Sequence, residues 1–136
     1  MNSPELKEIY QNIKIIAVVG LSDNEARPSY EVASYLKNQG YKIIPVNPMI
    51  ESWRGEKSYP SLLDIPGPVD VVDVFRKSEF VDEIMDAAIK IGAKVVWMQE
   101  GVVNETAAQK GWAAGLKVIM DKCLMKEHKK LFKLVA

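Results

Sequence analysis

The chain has 136 residues, of which 48% are hydrophobic and 26% are charged, and its 18 basic and 18 acidic side chains cancel. This size and composition predict a single globular domain, residues 1–136, with its own core. Zero net charge disfavours a general attraction to nucleic acid or to an anionic membrane surface.

Three further absences limit the class of protein. No apolar run approaches the roughly 18 residues of a membrane-spanning helix, and the first residues lack the basic and apolar regions of a signal peptide. The single cysteine, Cys123, cannot form an internal disulfide, and no Cys/His cluster has the spacing of a metal site. The sequence therefore predicts a cytoplasmic domain without a metal, and it leaves the oligomeric state open.

The chain begins with a helix and a strand. Ser3 and Pro4 predict a helix start, with Ser3 as the cap, and apolar residues follow at helical spacing. A continuous apolar run over 15–19 then ends at Gly20 and predicts a buried strand. A helix follows over 29–39.

A second strand is predicted over 42–46, before a long connection over 49–68 that contains three prolines and two glycines. A short helical turn fits at 61–63 within that connection. The third strand is predicted over 69–75, where Asp73 interrupts an apolar, β-branched run. We expect Asp73 to accept hydrogen bonds from local backbone donors rather than to act as a base.

Helices and strands alternate again in the second half of the chain. Ser78 is expected to cap an amphipathic helix, and a fourth strand follows over 94–98. Asn104 is expected to cap the next helix, before a fifth strand over 117–120 and a tail helix over 124–134. Strands that alternate with helices and carry apolar residues on both faces predict an α/β fold with a doubly wound, five-stranded parallel sheet.

Ligands of such sheets bind beyond the carboxyl ends of the strands, where the first strand-to-helix turn points backbone N–H groups at a phosphate. Four basic residues of this neutral chain follow predicted strand ends: Arg27, Arg76, Lys77 and Lys122. This clustering predicts a polyanionic ligand.

The usual nicotinamide site is disfavoured. The first turn holds only Gly20, where a dinucleotide fingerprint has three glycines. The second strand ends at Asn47-Pro48, where such a site places an acid for the ribose 2′-hydroxyl. A ligand with an additional phosphate on its ribose would favour the absence of that acid.

Six short segments together resemble the small, stand-alone coenzyme A-binding proteins, which are similar to the CoA-binding domain of the succinyl-CoA synthetase alpha subunit. The segments are AVVGLS (17–22), RPSY (27–30), VNP (46–48), VDVVDVFR (69–76), WMQEGV (97–102) and VIMDKC (118–123). The resemblance covers about residues 12–131 and implies a Rossmann-like fold that binds CoA at the carboxyl edge.

The resemblance also implies roles for individual residues. The diphosphate would lie against Gly20, Leu21 and Ser22, with Arg27 and Ser29 nearby. The adenosine would be flanked by Val46, Asn47 and Pro48. The opposite wall would be Phe75, Arg76 and Lys77, with Arg76 as the main phosphate contact, and Gln99 and Gly101 would border the pantetheine arm.

The leading interpretation is non-catalytic binding of CoA or an acyl-CoA. The alternatives are an NAD(P)-linked oxidoreductase, an accessory subunit that completes an acyl-CoA ligase with an ATP-grasp partner, and a redox regulator that forms a CoA mixed disulfide at Cys123. Ligases of the wider superfamily need a phosphorylatable histidine in a second domain, and the single histidine, His128, lies in the lysine-rich tail.

Simpler roles are expected for several of these residues. We expect Cys123 to be buried and inert, and His128 to be a solvated tail residue. The tryptophans Trp53, Trp97 and Trp112 are expected to serve packing rather than to stack on a ligand, although Trp53 could cover an adenine. Arg27, Arg76 and Lys77 could also be ordinary surface charges.

Overall fold

A computed structural model describes residues 1–132. The strands of this part of the chain are β1 (Ile15–Val19), β2 (Lys42–Val46), β3 (Ser52–Trp53), β4 (Glu56–Lys57), β5 (Val71–Val74), β6 (Val95–Met98) and β7 (Lys117–Ile119). The helices are α1 (Ser3–Asn12), α2 (Pro28–Asn38), α3 (Val81–Lys90), α4 (Glu105–Ala113) and α5 (Leu124–Leu131). Within residues 1–132, no helix is long and apolar enough to cross a membrane.

Five of the strands form one parallel sheet in the order β2-β1-β5-β6-β7, which confirms the predicted α/β, Rossmann-like fold. The chain builds outward from β1 to β2 and then returns to the other side of β1 with β5. The strand order therefore reverses between β1 and β5. In open α/β sheets the ligand crevice lies at such a reversal, beyond the carboxyl ends of the strands.

The two faces of the sheet carry separate apolar layers. Helices α1, α2 and α5 cover one face, and α3 and α4 cover the other. The central strands are buried on both faces, since all four residues of β5 and of β6 are buried. This explains why the strands are continuous apolar runs rather than alternating ones.

The helix starts are partly as predicted. The cap of α1 is Asn2 rather than Ser3, because the Asn2 side chain accepts a hydrogen bond of 3.0 Å from the Glu5 N–H. The prediction for α4 is confirmed: the Asn104 side chain accepts from the Ala107 N–H at 3.0 Å.

Ser78 has a different role from the one predicted. It begins a 3₁₀ turn, Ser78–Phe80, and α3 starts after that turn. The Ser78 hydroxyl accepts a hydrogen bond from the Val103 N–H at 3.0 Å. The serine thus connects the turn after β5 to the loop after β6 instead of capping a helix.

The long connection contains a hairpin that was not predicted. Strands β3 and β4 pair antiparallel across a two-residue turn, Arg54-Gly55, and both turn residues have positive φ, at 46° and 82°. The predicted helical turn is present as a 3₁₀ turn, Leu62–Asp64, whose Leu63 N–H donates to the Ser61 hydroxyl at 3.2 Å.

His128 is buried and not solvated, which corrects the prediction. It is 6% exposed, and its Nδ1 lies 2.7 Å from the Tyr35 hydroxyl, with Tyr10 and Phe132 packed around the ring. Burial lowers the pKa of His128. The predicted tail helix is present as α5, and Leu134 lies outside the described residues.

The tryptophans divide into two groups. Trp53 and Trp97 pack in the core as predicted, at 2% and 0% exposure. The indole N–H of Trp97 donates to the Lys122 carbonyl at 2.8 Å. Trp112, in the last turn of α4, is half-exposed and so packs only with part of its ring.

Asp73 lies fully buried in the centre of the sheet, between Val18 of β1 and Trp97 of β6. The expectation that it accepts backbone hydrogen bonds is wrong, because neither carboxyl oxygen has a partner within residues 1–132. Asp70 behaves differently: its side chain accepts from the N–H groups of Lys14 and Ile15. Burial raises the pKa of Asp73 well above its ordinary value.

The burial of Asp73 predicts a specific pH dependence of stability. The folded chain binds the proton more tightly than the unfolded chain, so stability is lost as the pH rises above the ordinary aspartate pKa of 3.8. Asp73→Asn is neutral at every pH and removes this loss. Urea unfolding from pH 4.5 to 8 measures the unfolding free energy of both proteins. The difference in favour of the variant should grow by up to about 1.4 kcal/mol per pH unit. Parallel pH profiles for the two proteins would contradict the assignment.

Candidate ligand-binding site

The ends of β1 and β5 approach each other closely at Gly20. Its φ is +88°, and a Cβ built there would lie 2.6 Å from the Phe75 carbonyl oxygen and 3.2 Å from Cδ of Arg76. The Gly20 N–H donates to the Val46 carbonyl, and the Phe75 N–H donates to the Val19 carbonyl, both at 2.9 Å. A side chain would therefore separate the strand ends at the point where the strand order reverses.

Asn47 fixes the turn after β2 to the turn after β1. Its Nδ2 donates to the Leu21 carbonyl at 2.9 Å, and its Oδ1 accepts from the Met49 N–H at 2.8 Å. Asn47 stands where a nicotinamide site would have an acid. Both the nitrogen and the oxygen of its side-chain amide are therefore hydrogen-bonded within the protein.

The turn from β1 to α2 uses several of its own amides. The Ser22 N–H donates to the Ser29 hydroxyl, the Asn24 N–H to the Ser22 hydroxyl, and the Ala26 N–H to the Asn24 side chain, at 2.9–3.0 Å. Pro28 occupies the first position of α2 and has no N–H to offer. The turn thus has fewer free amides for a phosphate than we expected, so side chains gain importance as anion contacts.

Several cavities meet at the strand-order reversal, and Phe75 and Arg76 line two of them. The smaller, about 270 Å³, is lined by Val19, Gly20, Val46, Asn47, Pro48, Pro60, Phe75 and Arg76. The larger, about 620 Å³, is lined by Phe75, Arg76, Lys77, Gln99, Gly101 and neighbouring residues of α2, the loop after β6 and α5. The pair suits an elongated ligand that passes over Arg76.

Most of the predicted site residues come together at these cavities, and four do not. The four that line neither cavity are Leu21, Ser22, Arg27 and Ser29. The Leu21 side chain is fully buried in the core, and Ser29 is 5% exposed beneath the turn. Arg27 is exposed beside the larger cavity, which its neighbours Ala26 and Pro28 line.

Two of the four predicted basic residues line the larger cavity, namely Arg76 and Lys77. Lys122 is exposed and does not line it. Lys126 does, and it forms an ion pair of 2.9 Å with Glu100. Sequence reasoning missed Lys126, although its place in the first turn of the tail helix, after the last strand end, was a usable signal.

The guanidinium of Arg76 lies over the ring of Phe80, with Cζ 4.4 Å from the ring centroid. Within residues 1–132 it forms no ion pair and donates no hydrogen bond to another side chain or carbonyl. Its donors are therefore available at the junction of the two cavities.

Gln99, Gly101 and Cys123 form one wall of the larger cavity, and the first two make hydrogen bonds within the protein. Gln99 is 5% exposed, and its side-chain oxygen accepts from the Leu124 N–H at 3.1 Å. The Gly101 N–H donates to the Asp121 side chain at 2.7 Å. Cys123 lines the same wall at 4% exposure.

A third cavity, about 470 Å³, lies at the opposite edge of the sheet. The C-terminal ends of α1, α3 and α4 and the starts of β6 and β7 form its walls. Helix C-terminal ends carry partial negative charge and repel anions. This cavity is therefore a poor candidate for the anionic ligand that the opposite edge suits.

Comparison with known proteins shows the family to which the chain is related. The sequence pattern of the family described as "CoA binding domain" matches residues 14–129. The chain is 46% identical over 124 residues to the uncharacterized protein YneT of Bacillus subtilis, covering 91% of this chain and 92% of YneT. A solved hypothetical protein from Pyrococcus horikoshii superposes with a TM-score of 0.94 at 42% identity, covering 97% of this chain and 93% of that one.

The chain also resembles part of a larger enzyme. It is 38% identical over 101 residues to the alpha subunit of acetate–CoA ligase (ADP-forming) II of Pyrococcus furiosus. The match covers 74% of this chain but only 21% of that subunit.

The contact at Gly20 predicts the effect of adding one methyl group. Gly20→Ala places a Cβ against the Phe75 carbonyl at positive φ, so we expect a loss of about 2 kcal/mol or more in unfolding free energy. Gly67→Ala is the control, because its added Cβ meets nothing within 4 Å. Urea unfolding of both variants tests this, and equal stability of the two would contradict it.

Proposed function

We propose that this chain, which belongs to the CoA-binding domain family, binds coenzyme A or an acyl-CoA at the carboxyl edge of its sheet. CoA carries a diphosphate and a ribose phosphate at one end and a long pantetheine arm at the other. The two cavities that meet at Arg76 suit this two-ended shape, with the nucleotide in the smaller cavity and the arm in the larger.

The observation that carries the proposal is the position of Arg76. Its aliphatic stem packs against Gly20 at the strand-order reversal, and its guanidinium has no carboxylate partner within residues 1–132. A planar guanidinium with free donors binds phosphate oxygens in a bidentate manner. An unpaired guanidinium at the junction of two cavities is well placed to bind the phosphate groups of a ligand that occupies both.

The smaller cavity supports CoA over a nicotinamide dinucleotide. Among the residues 1–132 that line it, none is acidic, and Asn47 is engaged with the backbone on both sides. A carboxylate there would hold a free ribose 2′-hydroxyl and repel a ribose phosphate. Its replacement by an amide favours a ribose that carries phosphate.

We propose that binding occurs without chemistry on the ligand. Three polar groups in or beside the larger cavity are held in structural contacts: Gln99 by the Leu124 N–H, Glu100 by Lys126, and Asp121 by the Gly101 N–H. Groups held in this way are poorly placed to exchange protons with a substrate. Incubation with acetyl-CoA should leave the thioester absorbance unchanged, and turnover would contradict this part of the proposal.

The likeness to a ligase subunit favours a second candidate, in which the chain presents CoA to an ATP-grasp partner. In that case, the tagged chain isolated from its own cells should carry such a partner in fixed stoichiometry. Native mass spectrometry that shows only the chain and its copies would contradict it.

Titration calorimetry with CoA, dephospho-CoA and NADH tests the main proposal. We expect CoA to bind most tightly, and dephospho-CoA about tenfold more weakly because it lacks the ribose phosphate. Arg76→Ala should weaken CoA binding by about tenfold to a hundredfold, since it removes charge-assisted hydrogen bonds.

Lys117→Ala is the matched control for this experiment. It also removes one positive charge, but it lies at the start of β7, on the opposite edge of the sheet. We expect this variant to bind CoA like the wild type. No binding of CoA by the wild type, or a preference for NADH, would overturn the proposal.

A further inference from the structure

We propose that Phe80 is a positioning residue for CoA binding, which acts by holding the guanidinium of Arg76 at the junction of the two cavities. The inference rests on the proposed function, because it assigns a role within the same site. It concerns a residue outside every predicted motif.

Arg76 is held between two surfaces. On one side, its Cδ packs against Gly20, where an added Cβ would lie 3.2 Å away. On the other side, its Cζ lies 4.4 Å from the centroid of the Phe80 ring. The stem and the head of the side chain therefore have separate supports, and both come from backbone turns at the carboxyl edge.

The backbone turn that carries Phe80 is held by several hydrogen bonds. The Phe80 N–H donates to the Lys77 carbonyl at 2.9 Å and closes the 3₁₀ turn. The Ser78 hydroxyl accepts from the Val103 N–H, and the Ser78 carbonyl accepts from the Asn104 side chain at 3.0 Å. The loop after β6 thus supports the turn from which the Phe80 ring contacts Arg76.

Phe80 is a partly exposed aromatic residue. It is 37% exposed, whereas Val81, the next residue, is fully buried. Part of the Phe80 ring therefore lies outside the core. Its contact with an arginine that has no ion pair within residues 1–132 gives it a different use.

A cation–π contact serves phosphate binding because it holds the guanidinium without pairing it with a carboxylate. The guanidinium Cζ lies 4.4 Å from the ring centroid, and the ring attracts the cation without cancelling its charge. A carboxylate partner would hold the side chain equally well but would occupy the guanidinium donors and cancel the charge. The aromatic support orders the arginine without competing with the ligand.

Phe80→Leu tests the inference, since it keeps an apolar side chain and removes the ring. We expect CoA affinity to fall about three- to tenfold, the fold-change that corresponds to a cation–π contact. Phe80→Tyr retains the ring and should bind within about twofold of the wild type. Trp112→Leu, which removes a half-exposed ring in the last turn of α4, is the control and should bind normally.

Two readouts separate positioning from direct contact with the ligand. In the ligand-free protein, the ¹⁵N order parameter of the Arg76 Nε should fall in Phe80→Leu and stay high in Phe80→Tyr. In an Arg76→Ala background, Phe80→Leu should cause no further loss of CoA affinity. An unchanged order parameter, or an equal loss of affinity in both backgrounds, would overturn the inference.

The outcomes also distinguish this inference from the proposed function. If the wild type fails to bind CoA, the proposed function fails, whatever the order parameters show. If the wild type binds CoA and Phe80→Leu binds equally well, only the role of Phe80 is refuted. Urea unfolding of Phe80→Leu checks that any loss of affinity does not come from a loss of folded protein.

Discussion

The whole carboxyl edge depends on the close approach of the β1 turn to the end of β5. At Gly20 there is no room for a Cβ, because the Phe75 carbonyl oxygen would lie 2.6 Å from it. This contact brings the stem of Arg76 against the β1 turn and makes Phe75 and Arg76 a shared wall of two cavities. The strand order supplies the crevice, and the absence of a side chain at Gly20 lets the arginine that follows β5 reach across it.

The same edge shows how a neutral chain can hold a local positive charge. Several other cations of the described chain are paired: Lys126 with Glu100, Lys37 with Glu56, and Lys110 with two aspartates of α3. The guanidinium of Arg76 lies over an aromatic ring instead. The charge is therefore positioned without being neutralised, whereas the carboxyl of Asp73, buried without a partner, is driven towards its neutral form.

Local sequence predicted the elements whose causes are local. The apolar runs over 15–19 and 42–46 match β1 and β2, and Asn104 caps α4 through a partner three residues away. Ser78 was misassigned because its hydroxyl bonds to Val103, 25 residues further on. His128 was misassigned because the surrounding lysines suggested a solvated helix, and only the tertiary packing shows its buried side.

The candidate site also contains some features that could be predicted from local sequence and others that could not. The glycine turn and the basic residue at the end of β5 could be placed from strand ends, since parallel strands present their carboxyl ends at one edge. The direction of the Leu21 side chain could not be predicted from the strand ends. The structure shows that this side chain is buried in the core. The support of Arg76 by Phe80 could not be predicted either, because the two residues are joined by a 3₁₀ turn rather than by a regular helix. An i,i+4 spacing brings side chains together reliably only when the intervening backbone is α-helical, so this contact needed the structure.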